Sequence, residues 1–298
     1  MTTTPLKDSL TRGLLAEPNI GFYVADVSGA AAEARSLHGL GRVSAMLLGE
    51  ALCGGAMLAG LQKDSTRINL QLECDGPLRG LFVDATASGD VRGYVKNQLV
   101  SVEGAEGPFR WRPALGNSGF LSVLKNIGGD EYYRSQVALE AMELSADLTR
   151  YFHISDQVPT RVVIDVLATD DSISAAGVLV QTLPGGDARV LEAVGDALAQ
   201  RFREVLVARH ERQTPISADA LLGPWSPAVM STREVHYRCT CSLERVLDAL
   251  SALGVDEIQD ILKTQGQVSV QCQFCGRTQV ATREHLTAIA QRLAQLPS

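Results

Sequence analysis

Four cysteines near the end of the chain limit what it can fold into more than any other feature: Cys239-Thr240-Cys241, and Cys272-Gln273-Phe274-Cys275 followed by Gly276. A Cys-x-x-Cys that runs into glycine makes a tight turn aiming both sulfurs at one point, because glycine can take the backbone angle such a turn requires. Cys239-x-Cys241 supplies a second pair. Residues 242–271 between them are patterned as helical segments and a strand, enough chain to fold back and close the site. Zinc takes four soft or borderline ligands in a tetrahedron, and thiolates about 2.3 Å from the metal fill that role. The spacing therefore predicts one Zn²⁺ per chain held by Cys239, Cys241, Cys272 and Cys275. His236 and His285 are spare donors, but four thiolates already complete the shell. A thioredoxin-type dithiol is disfavoured because no βαβ pattern surrounds this Cys-x-x-Cys.

The metal has an energetic role in such a module. A unit of roughly sixty residues with few aromatics buries too little apolar surface to be secure alone. Structural zinc contributes on the order of 10–16 kcal/mol of apparent binding energy in zinc-finger peptides. Four thiolates around Zn²⁺ also leave an electron-rich, doubly negative centre. Once one sulfur is oxidised, a neighbouring pair can close a disulfide and the metal loses its ligands, reversibly if reductant is supplied.

The rest of the chain narrows the class of function. With 298 residues it can bury a full core and still carry a small second module. A formal charge of −7 and a pI near 5.3 argue against a general polyanion binder. Residues 233–298 balance their acidic and basic side chains, where a nucleic-acid-binding zinc ribbon would need a basic stripe. The N-terminus mixes Lys7, Asp8, Arg12 and Glu17 with no apolar signal core, so the chain is expected to be unprocessed and cytoplasmic. Residues 43–61 are apolar, but Glu50 and interrupting glycines predict a buried helix and not a membrane span. Six cysteines in that compartment are not a disulfide framework, and Cys53, alone in an apolar run, reads as a core thiol. No lysine follows a glycine, so a phosphate-cradling loop is absent, and Gly39-x-Gly41 and Gly128-Gly129 read as turns or close packing. His153, Ser155 and Asp156 are nucleophile-type residues but, as near neighbours in sequence, do not point together as a triad.

Periodicity gives the organisation. Residues 31–61 read as helix; RINLQLEC and RGLFVDAT alternate as strands around the turn at Asp75-Gly76-Pro77; a helix is expected around LEAMELSADLTRYF; TRVVIDVLAT and AAGVLVQTLP read as strands. This pattern suits a mixed domain over residues 1–186, not a regular parallel wind. Residues 189–212 place Leu191, Val194, Leu198, Phe202 and Val205 at helical steps, and residues 213–230 hold Pro215, Pro224 and Pro227 with an isolated Trp225. Residues 187–232 are thus either a linker of marginal stability or a surface helix and loop fixed to the first domain. The last part, 233–298, carries a helix through Leu243, Val246, Leu247, Leu250 and Leu253 that Gly254 ends. A short helix through Ile258, Ile261 and Leu262 follows, then a strand at Val268-Ser269-Val270 and a final helix through Leu286, Ile289, Leu293 and Leu296. The fold class is α+β: an N-terminal mixed α/β core domain, a helical linker and a small C-terminal zinc-binding α+β module.

These residues resemble a known family, the redox-regulated chaperones called heat shock protein thirty-three. The resemblance is carried by CTCSLERVLDALSALGVDEIQDIL with VSVQCQFCG, and by Glu33 to His38, DGPLRGLFVDA, RGYVKN, Asp147 to Thr160 and GVLVQTLPGG, so it spans nearly the whole chain. It departs from the family at Thr278-Gln279-Val280-Ala281, where aromatics are common. The resemblance implies a cytoplasmic, ATP-independent holdase that binds unfolding client proteins under oxidative stress. It implies a form that is inactive when reduced and zinc-bound, activation by hypochlorite or by peroxide with unfolding, and a dimer when active. Zinc loss is implied to loosen the neighbouring linker and uncover an apolar client surface. Proximity alone suggests that oxidation pairs Cys239 with Cys241 and Cys272 with Cys275. Ligand identity by itself leaves a permanently closed structural zinc site open; the resemblance favours a switch.

Overall fold

The computed structural model describes residues 6–62, 66–102, 111–128 and 131–294; Leu296 and Gly129 lie outside them. In chain order the strands and helices are β1 (Ser9–Leu15), β2 (Ile20–Asp26), α1 (Ser28–His38), α2 (Arg42–Gly60), β3 (Arg67–Cys74), β4 (Gly80–Thr86), β5 (Asp90–Val95), α3 (Arg112–Leu115), β6 (Gly119–Gly128), β7 (Glu131–Ala138), α4 (Leu144–Tyr151), β8 (Thr160–Ala168), β9 (Ile173–Thr182), α5 (Ala188–Arg212), α6 (Ala218–Leu222), β10 (Ala228–Glu234), β11 (His236–Tyr237), α7 (Leu243–Ser251), α8 (Val255–Thr264), β12 (Val268–Gln271), β13 (Thr278–Ala281) and α9 (Arg283–Ala294). The chain divides into two compact units, Met1–Arg238 and Cys239–Ser298.

Alternation builds the first unit. In β3, Ile68, Leu70 and Leu72 are buried while their neighbours are half-exposed, and β8 repeats the pattern from Thr160 to Ala168. One sheet runs β10-β1-β2-β9-β8 and the other β11-β5-β4-β3-β6-β7. Every pairing in them is antiparallel except the short parallel one between β11 and β5. Helix α2 packs against strands of both sheets, which is why its run is apolar all round. It is also the one helix among the described residues long and apolar enough to cross a membrane, and from Val43 to Gly60 it is buried in this unit. Its glycines permit close approach: a Cβ on Gly55 would come within 2.6 Å of Val83 Cγ1. The expected single helix over 31–61 is two, because Gly39 takes a left-handed conformation (φ 59°) and closes α1.

Strand β9 is apolar on both faces. Ala175 and Leu179 join the core around α2; Ala176, Val178 and Val180 form the opposite face with Phe22 and Val24 of β2. Helix α5 covers that second face with Leu191, Val194, Leu198, Phe202 and Leu206, all buried. Of the two readings of residues 187–232, a linker of marginal stability or a helix and loop fixed to the first domain, the packing matches the second, and the division falls after Arg238 instead of after residue 232. The physical reason is that β9 presents two apolar faces and α2 covers only one. Residues 213–230, marked by their prolines, also contain α6 and the start of the sheet-edge strand β10.

The second unit is small. Helices α7, α8 and α9 and the β12–β13 hairpin enclose Leu250, Ile258, Ala281, Leu286 and Ile289, with Val246, Leu247, Ile261, Leu262, Val268, Ala290 and Leu293 packed partly buried around them. Ser242 caps α7, its hydroxyl accepting from the Arg245 N–H at 3.3 Å. Thr278-Gln279-Val280-Ala281, where aromatics were expected, form β13, and its Ala281 is fully buried.

Candidate metal centre

The hairpin builds half of the site. Between β12 and β13 the Cys272 N–H donates to the Arg277 carbonyl and the Gly276 N–H to the Cys272 carbonyl, both at 2.9 Å. Gly276 has φ 70°, the left-handed turn its position after the Cys-x-x-Cys calls for. Cys239 and Cys241 lie in the extended segment before α7.

All four sulfurs lie within 4.8 Å of one another. Cys239 Sγ is 3.6 Å from Cys272 Sγ, and Cys241 Sγ is 3.5 Å from Cys275 Sγ. A disulfide needs about 2.05 Å, so none of these sulfurs is bridged to another. A tetrahedron with metal–sulfur bonds of about 2.3 Å has sulfur–sulfur edges of roughly 3.8 Å. The donor set thus fits a thiophilic metal ion in both chemistry and size.

Electrostatics distinguish the sulfurs. Burial and the neighbouring thiols push Cys241 up to about 12 and also raise Cys272. Burial opposes ionisation of Cys275 too, but hydrogen bonds from the Arg277 side chain and backbone and from the neighbouring thiols outweigh it and bring Cys275 down to about 6. Arg277 Nε donates to Cys275 Sγ at 3.4 Å. Sequence reading did not single out Arg277; the signal available was a cation two residues past the second cysteine of the motif.

The remaining candidates lie elsewhere. His285 Nδ1 accepts from the Thr282 N–H at 3.2 Å, at the start of α9. His236 belongs to β11 in the first unit, with Nε2 3.6 Å from a Glu234 carboxylate oxygen. His153, Ser155 and Asp156 sit in a π-helical turn, Phe152–Asp156, where Asp156 is paired with Lys125 at 2.8 Å. Cys53 is buried in α2 and Cys74 ends β3.

Fold and site together define a two-unit protein: a mixed α+β unit followed by a small module whose four cysteines form a cluster that could hold a metal ion. The family model described as Hsp33 protein matches residues 8–280. Curated relatives named 33 kDa chaperonin, from Bacillus cereus strain B4264 and Bacillus anthracis strain CDC 684, are 33% and 32% identical over 292 residues, covering 97% of this chain and all of theirs. The crystal structure of the 33 kDa chaperonin (heat shock protein 33 homolog) from Thermotoga maritima matches with a TM-score of 0.82 at 27% identity, over 98% of this chain and all of that one. This chain belongs to the Hsp33 family.

Proposed function

We propose that this Hsp33-type chaperone is a redox-regulated, ATP-independent holdase of the cytoplasm that binds unfolding proteins and keeps them from aggregating. The observation that carries the reading is the four cysteine sulfurs gathered at metal-ligand spacing on a module whose buried apolar core is, among the described residues, five side chains. Bound zinc, one ion held by Cys239, Cys241, Cys272 and Cys275, would supply the cross-link that so small a core lacks.

Peroxide or hypochlorite provides the oxidant. A cysteine thiolate takes oxygen from hydrogen peroxide, giving a sulfenic acid and hydroxide; a second thiolate displaces that hydroxyl, forming the disulfide. Two such events consume two peroxides and all four ligands. In the folded module all four sulfurs lie within 4.8 Å, with Cys239 beside Cys272 and Cys241 beside Cys275, so spatial proximity does not favour pairing within each motif. Chain proximity does: once the module loosens, Cys239 with Cys241 and Cys272 with Cys275 close the shortest loops.

Residues 187–232 cover the apolar face of Phe22, Val24, Val178 and Val180, and their loosening would offer that face to clients. Because α5 is firmly packed, uncovering it calls for destabilising conditions along with oxidant, which supports activation by warm peroxide. The active form is proposed to dimerise and to act on unfolded polypeptide, not on nucleic acid, membranes or a small substrate.

The test follows zinc, thiols and client aggregation in one sample before and after warm peroxide. One zinc lost per chain, four thiols consumed and aggregation suppressed, all reversed by reductant with zinc, is the expected result. Zinc loss without holdase activity would leave a structural site and end this reading.

A further inference from the structure

The Cys-x-x-Cys turn carries a charged group that its own chemistry does not require. Arg277 is exposed, yet its guanidinium is not left to solvent: Nε donates to Cys275 Sγ at 3.4 Å. Its backbone is fixed independently, by the Cys272 N–H donating to the Arg277 carbonyl at 2.9 Å within the hairpin. Turn geometry and side-chain contact are therefore separable. Cys275 is the most enclosed of the four cysteines: it is buried, and the other three are partly exposed. The guanidinium thus lies over a sulfur that solvent reaches poorly, where hydration does little to disperse thiolate charge.

We infer that Arg277 is a positioning residue of the thiolate centre, drawing charge out of the Cys275 sulfur through its N–H···S bond and so raising both metal retention and the oxidant dose the centre withstands. The inference rests on the proposed reading of the cluster as an oxidisable zinc site. Two consequences of one bond are involved. A cation beside a doubly negative tetrathiolate offsets part of its excess charge, and partners of this outer-shell kind typically carry about 10- to 100-fold in metal affinity. The sulfur lone pair that accepts the N–H is also the pair that must attack the O–O bond of peroxide, so donating to it lowers the sulfur's nucleophilicity. The step restrained is attack by the Cys275 thiolate on hydrogen peroxide, forming S–OH and hydroxide, before the Cys272 thiolate displaces hydroxide to give the disulfide.

The test uses the full chain as wild type, Arg277→Ala and Arg277→Lys, each with four measurements: zinc loss to a chromophoric chelator without oxidant, the absorption spectrum with cobalt(II) in place of zinc, the rate of Cys275 loss to hydrogen peroxide, and thermal unfolding. Arg277→Ala is expected to yield zinc at roughly tenfold lower chelator concentration. Its sulfur-to-cobalt charge-transfer band should shift to longer wavelength and Cys275 should react faster. Arg277→Lys, keeping the charge without the planar donor, should lie between. Arg277→Gln replaces alanine if alanine impairs folding. A variant without the guanidinium that matches wild type in chelator midpoint, cobalt band and oxidation rate overturns the inference while leaving the zinc switch standing. Wild-type protein that takes up no zinc overturns the proposed function, and this inference with it.

Discussion

Arg209 Nε of α5 donates to Asp26 Oδ2 of β2 at 2.7 Å, with both side chains almost completely buried. Asp26 also accepts from the Ser28 hydroxyl at 2.6 Å, and Arg209 reaches Gln213 at 3.1 Å, so the pair is hydrogen-bonded on both sides. It fastens the C-terminal end of α5 to the sheet it covers. Arg209→Met should destabilise the first unit by about 3–5 kcal/mol, the cost of stranding a buried carboxylate. Combining it with Asp26→Asn should recover part of that loss. Urea unfolding of wild type and the two variants, with hydrogen exchange read over residues 188–212, checks both statements.

Stripping the metal with a strong chelator should unfold the second unit and spare the first. The amide protection of α7, α8 and α9 is expected to vanish while that of α2 and β9 persists, because the latter belong to an extensive core of their own. Hydrogen exchange with and without chelator separates this outcome from a protein that unfolds as one piece.

Disulfide mapping tests the pairing. Partial oxidation under loosening conditions should yield Cys239–Cys241 and Cys272–Cys275 bonds. The folded geometry brings Cys239 to Cys272 and Cys241 to Cys275, so peptide mass mapping that recovers those cross-linked pairs instead would show that oxidation outruns unfolding.

Asp8 gives a pH dependence. Its carboxylate accepts from the Gly29 and Ala30 N–H groups at 2.7 and 2.6 Å, taking the N-cap role that Val27 does not perform for α1. Burial pushes the carboxyl up to about 6 from 3.8; the Ala30 and Gly29 N–H groups oppose this, and Asp26 adds to it. A carboxyl raised in the folded state contributes stability that is full below its unfolded value and lost as pH rises through its folded one. Wild type should therefore lose stability relative to Asp8→Asn between about pH 4 and pH 6.5, by no more than about 3 kcal/mol. Urea midpoints of both proteins across that range measure the difference.

Glu50 has the same sign and a deeper setting. It sits within α2, accepts from Trp111 Nε1 at 2.9 Å, and is held well above the usual carboxylate range by burial, against the pull of that bond. Glu50→Gln keeps an acceptor for Trp111 and removes the charge. It should melt higher than wild type at pH 8, by at least about 2 °C, and show a smaller gain at pH 5. Calorimetry at the two values decides it.

What was legible in the sequence depended on whether the cause was local. The four cysteines could be read directly, because ligand chemistry and a glycine turn are properties of a few adjacent residues. So could β3, β4 and the buried character of α2. The placement of residues 187–232 could be narrowed only to two alternatives, since what holds α5 is the second apolar face of β9 and a buried carboxylate at Asp26, both distant in the chain. Strand β10 escaped notice because Val229 and Met230 are exposed on a sheet edge and prolines precede it. Strand β1 was missed because its sequence, SLTRGLL, interrupts its alternation with polar residues and Gly13. Arg277 was visible as a residue but not as a donor to sulfur, which requires the hairpin register.

The pairing of β1 with β10 also bears on how the protein is made. Thr11 and Thr232 lie side by side, hydroxyls 3.0 Å apart, though separated by 221 residues in the chain. A ribosome adding about 5–20 residues per second needs on the order of ten to forty seconds to bring the later strand out after the earlier one. Throughout that interval β1 emerges as an open sheet edge, able to pair with other nascent chains. A protein proposed to guard others against aggregation thus passes through a stage of its own synthesis when it is exposed to the same hazard.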